Sequence, residues 1–70
     1  MAITADKADL LAAAACSGVV PANARTIARA VGLPERTIRY VLAGRPMSAE
    51  HFALLREAFG DGWYEGGEGP

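Results

Sequence analysis

The chain has 70 residues, a formal net charge of −1 and an apolar share of 51%. That length bounds it to one small domain with a modest core, and the apolar share excludes disorder over most of it. A single cysteine excludes an internal disulfide, and the longest apolar run, residues 10–16, is too short to cross a bilayer.

In chain order, a first helix is expected over residues 4–16. Thr4 or Asp6 can cap it, and Asp6 and Asp9 complement the positive end of its dipole. Leu10, Leu11, Ala14 and Ala15 form its apolar stripe, and Cys16 is read as a small buried thiol. Acidic residues stand where a secretory signal would be basic, so the cytoplasm is the default compartment. Ser17-Gly18 ends this helix, and residues 19–21 form an extended connector because Pro21 disfavours α geometry at Val20.

Asn23 then caps a helix over Ala24–Val31, in which Ala24, Ile27, Ala28 and Val31 fall on one face. Gly32 follows as a left-handed C-cap, a conformation without steric penalty only for glycine. A third helix is expected over residues 34–43, ending at Gly44, with Ile38, Val41 and Leu42 repeating the apolar spacing. Pro34 is comfortable in its first turn, and Glu35 complements its dipole. Ser48 caps a fourth helix to Phe59, with Phe52, Leu55 and Phe59 on one face. The sum is an all-α domain of four helices over residues 1–59 containing a helix-turn-helix. Residues 60–70 form a glycine-rich, acidic tail expected to be flexible.

The third helix turns a second, polar stripe outward. Arg36, Arg39, Tyr40 and Ala43 lie at i, i+3, i+4 and i+7, opposite Ile38 and Leu42. Two fork-shaped cations, a phenol and a small residue suit the DNA major groove, where an arginine can reach guanine O6 and N7 together. Tyr40 can alternatively pack inward over Pro34. Arg25 and Arg29, one turn apart on the preceding helix, repel each other slightly, which a phosphate partner would relieve; a merely solvated face is the competing reading.

The segment resembles the helix-turn-helix of lambda-repressor and Cro-like regulators, and is similar also to the lac-repressor headpiece. The matching positions are Ile27, Ala28, Gly32, Leu33, Thr37, Ile38 and Val41, then Gly44 and Pro46, within residues 25–59. Ala24 stands where such families often have glutamine, and Pro34 where they often have serine. A helix preceding the motif favours the Cro-like architecture over the lac-type one. The resemblance implies a repressor that reads two half-sites about 34 Å apart as a homodimer. It places Glu35, Arg36, Arg39 and Tyr40 at base edges, with Arg25, Arg29, Thr37 and Arg45 on the phosphate backbone.

Charge distribution supports a nucleic-acid partner despite the negative total. Residues 24–46 carry a net +4, against −1 for residues 1–23 and −4 for residues 47–70. The local patch, not the total, steers association with DNA. Two readings stay open for Trp63 and Tyr64: rings folded over the small core, or dimer contacts, since both types are enriched at interface hot spots. The alternative function is an antitoxin or adaptor whose acidic C-terminal third engages a basic partner. An enzyme is not expected: no base–nucleophile pair, metal cluster or phosphate loop is visible, and nothing calls for a cofactor or a small-molecule ligand. His51 has no Cys or His at ligand spacing and is read as a solvated side chain.

Overall fold

The structure is a computed structural model and describes residues 2–66. It is a mostly helical small domain in which strand β1 (Ile3–Ala5) precedes helices α1 (Lys7–Cys16), α2 (Ala24–Val31), α3 (Glu35–Leu42) and α4 (Ala49–Phe59), and strand β2 (Tyr64–Gly66) closes the order. Among the described residues no helix is long and apolar enough to cross a membrane.

Helices α1, α2 and α4 start where a side chain can occupy the backbone donors that a first turn leaves open. Asp6 Oδ1 accepts from the Asp9 amide at 3.0 Å, and Ser48 Oγ accepts from the His51 amide at 3.2 Å. Asn23 and Thr26 satisfy one another reciprocally, each side chain taking the other's backbone N–H at 3.0 Å. Pro34 caps α3 without a side-chain bond; its carbonyl accepts from the Thr37 amide at 3.0 Å instead. The junction of α2 and α3 is built on Gly32, at φ 76° and ψ 29°. The amides of Gly32 and Leu33 both close on the Ala28 carbonyl, at 2.9 and 3.0 Å, so the chain reverses within three residues. A Cβ at Gly32 would meet nothing within 4 Å, and the demand for glycine is therefore conformational. Gly32→Val should cost about 1–3 kcal/mol, read as a lowered urea midpoint; an unchanged midpoint would mean the turn relaxes without strain.

The core is one cluster. Leu10, Ile27, Ile38 and Leu55 are fully buried, one from each helix, and Trp63 joins them at 1% exposure. The apolar spacings on α2 and α3 thus point where the sequence indicates, with Ile27, Ala28, Ile38 and Val41 inside.

Four features depart from the sequence reading. The fold is not purely α: β1 and β2 pair antiparallel, with Ile3 opposite Gly66 and Ala5 opposite Tyr64. Met47 joins the other side of β1, its amide donating to the Ile3 carbonyl at 2.9 Å. Thr4 consequently lies in a strand, and α1 begins at Lys7 under the Asp6 cap rather than at residue 4. The expected tail is not free over residues 60–66. The Trp63 indole nitrogen donates to the Gly60 carbonyl at 2.6 Å, and the Trp63 carbonyl accepts from the Asp6 amide at 2.8 Å. Residues 67–70 of that tail lie outside the described residues. Cys16 is exposed, because the buried side of α1 runs through Leu10 and Ala14 and Cys16 falls on the other side; Ala15 is exposed for the same reason.

Trp63 therefore takes the core reading and not the surface position that a dimer contact needs. Tyr64 is half-buried beside it, edge-on to Phe52 at 4.6 Å and to Trp63 at 5.0 Å between centroids, with its hydroxyl donating to Asp61 Oδ1 at 2.6 Å. Arg56 Nε donates to the same oxygen at 2.8 Å. The Tyr64 hydroxyl, and then Arg56, hold the Asp61 carboxyl below the ordinary carboxylate range.

Candidate nucleic-acid interface

Helix α3 is held from beneath by Ile38 and Val41, 0% and 2% exposed, and its opposite side projects as a ridge. Arg36, Arg39, Tyr40 and Ala43 are all exposed along it. Tyr40 is 58% exposed and does not fold over Pro34. The Arg45 guanidinium, returned to the ridge by the Gly44 turn, sits 5.0 Å from the Tyr40 ring centroid, a cation–π distance that keeps both groups at the surface.

Glu35 and Arg39 form an ion pair one turn apart, Nη2 to Oε2 at 2.5 Å, with side chains 39% and 72% exposed. An exposed i,i+4 pair contributes only about 0.3–0.5 kcal/mol, so its effect is mainly orientational. It ties one guanidinium nitrogen to the first turn of α3 while the Arg39 side chain stays largely exposed. Glu35 is thereby engaged with Arg39 before any base could reach it.

A groove runs along each side of the ridge. One, of about 450 Å³, lies between α3 and the start of α4, with Arg36, Thr37 and Tyr40 on one wall and His51 on the other. The second, of about 380 Å³, lies between α3, the start of α2 and α1. Arg39 and Leu42 face Lys7, Leu11 and Asn23 across it. The structure thus brings Glu35, Arg36, Thr37, Arg39, Tyr40 and Arg45 into one surface. Arg25 and Arg29 are exposed on α2 and line neither groove.

Two residues join this surface that the sequence reading left out. Lys7 belongs to an N-terminal segment with a net charge of −1, and only the packing of α1 delivers it to the groove beside Arg39. His51 is half-buried in the other groove rather than freely solvated. Its place in the first turn of α4, just after Pro46-Met47-Ser48, was the available signal. Among the described residues no cluster of three or more His, Cys, Asp or Glu side chains could hold a metal.

No family model, curated protein or solved structure matches the chain. The functional argument therefore rests on the geometry and charge of this surface.

Proposed function

We propose that the chain is a sequence-specific DNA-binding transcriptional regulator, a phage-type or bacterial repressor in which α2 and α3 act as a helix-turn-helix and α3 enters the major groove. The observation that carries this reading is the α3 ridge. A core-anchored helix presents Arg36, Arg39 and Tyr40 outward, inside a segment that holds five of the seven basic residues. A protruding helix flanked by two grooves matches the shape of a duplex, in which the major groove is bordered by a phosphate backbone on each side.

On this reading Arg36, Arg39 and Tyr40 read base edges, and Glu35 aims Arg39. Arg25, Arg29, Thr37 and Arg45 hold the backbone, and Lys7 extends that set on the α1 side. Two copies occupy paired half-sites on one face of the DNA, and repression follows from occlusion of polymerase. Trp63 is buried within one copy, so on this reading the contact between copies uses other residues.

The test is a duplex-binding titration across salt, following selection of bound sequences from a random pool. Each neutralised phosphate contributes a slope of about −0.9 in log K against log salt, so Arg25, Arg29 and Arg45 alone give roughly −2.7 per protomer. Enrichment of one motif with a slope of that size is the expected result. No enrichment and no salt dependence would favour the competing reading, an antitoxin or adaptor that uses its acidic C-terminal third.

A further inference from the structure

The groove between α3 and α4 gathers three polar side chains that have no side-chain partner among the described residues. The guanidinium of Arg36, the hydroxyl of Thr37 and the ring of His51 all line it. None makes a side-chain hydrogen bond or ion pair among the described residues. Between them the floor is apolar, formed by Val41 and Met47, 2% and 9% exposed, with Pro46 at the side. Converging donors over an apolar floor fit a ligand with an oxyanion on one side and a hydrocarbon face on the other. A sugar–phosphate unit has that composition, and the groove borders the ridge already assigned to DNA.

The two nitrogen groups differ in how their charge is set. Arg36 is a fixed cation, whereas an imidazole ordinarily changes charge between pH 5 and 8. An anion seated between them favours the charged form of the ring. The other charged or titratable neighbours do not reverse this sign. Arg45 lies over the Tyr40 ring at 5.0 Å, and Glu50 is exposed next to His51 on α4. No residue of α1 or α2 lines the groove.

We propose that this groove is a phosphodiester seat in which DNA binding is coupled to uptake of one proton at His51, which moves Arg36 from the base-edge set to the backbone set. The coupling rests on the DNA-binding reading, and linkage makes it reciprocal: duplex favours the protonated ring, and acid favours duplex. The selected duplex is titrated at fixed ionic strength from pH 8 to pH 6, with wild type, His51→Gln and Glu57→Gln, an exposed α4 change outside the groove. Wild type and Glu57→Gln should gain affinity as pH falls, by up to about tenfold per pH unit, the ceiling for one proton. The wild-type salt slope should steepen by about 0.9 over the same range, one further phosphate neutralised. His51→Gln should show a flat profile and bind more weakly than wild type at pH 6.

Because His51 is the only histidine in the chain, its ring proton resonances report the same event in the unmodified protein, and duplex should move their titration to higher pH. Duplex binding without pH dependence, or a profile that survives His51→Gln, overturns the seat while leaving DNA binding intact. No duplex binding at any pH overturns both. If inorganic phosphate at millimolar concentration shifts the ring resonances as far as duplex does, the groove takes a free oxyanion and the backbone assignment falls.

Discussion

Trp63→Ala is expected to remove about half of the chain's folding stability and to lower its urea midpoint steeply. The indole is 1% exposed and belongs to the cluster that joins all four helices. Truncating a buried tryptophan costs about 3–5 kcal/mol, while a domain of this length has only about 4–10 kcal/mol of stability in all. The loss extends beyond packing, since the Gly60 carbonyl forfeits its indole donor and the edge contact with Tyr64 disappears. Far-UV circular dichroism through a urea titration is the measurement, because the substitution removes the chain's only tryptophan and with it the usual fluorescence signal. Trp63→Phe should keep a cooperative transition at a lower midpoint. An alanine variant with the wild-type midpoint would mean that the last described segment is dispensable to the core.

Arg39→Ala should reduce binding to the selected duplex far more than binding to scrambled duplex, by about 1–3 kcal/mol of discrimination for one bidentate guanine contact. Arg25→Ala should weaken both duplexes alike and reduce the salt slope by about 0.9. The difference follows from position. Arg39 stands on the ridge, 72% exposed and steadied by Glu35, whereas Arg25 stands on α2 outside both grooves. Titrations of each variant on the two duplexes at several salt concentrations give both quantities. Equal loss on both duplexes would reassign Arg39 to the backbone, and no loss from either substitution would turn this face toward a protein partner.

The helices were readable in the sequence because each carries its signal within a few residues. Asn23 and Thr26, Gly32, and Ser48 with His51 are local devices, and the apolar spacing of Ile27, Ala28, Ile38 and Val41 needs no distant partner to be recognised. The sheet was not readable for the converse reason. Three residues, Ile3 to Ala5, are too few to display alternation, and what makes them a strand is Tyr64–Gly66 at the other end of the chain. The tail glycines show the same limit. Gly66 reads as looseness in the sequence, yet a Cβ there would run into the Ala2 carbonyl oxygen, so the residue permits a close backbone approach. The exposed ridge of α3 could be anticipated because it lies on one helix. Lys7 could not be assigned to it, because it reaches that surface from α1 through tertiary packing alone; for His51 the place in the first turn of α4 was the one local signal.

The pairing of β1 with β2 also sets a timetable for synthesis. Ile3 is made before all four helices, and its partner Gly66 only after them. Until then the nascent chain has helical segments with competent caps and no lid for their apolar sides, since Trp63 is still to come. Closing so long a loop carries the entropy of nearly the whole chain, and mean contact separation of this kind slows folding. The protein therefore completes its core after release of residues 60–66. During that interval Leu10, Ile27, Ile38 and Leu55 form the surface that a nascent-chain chaperone would meet.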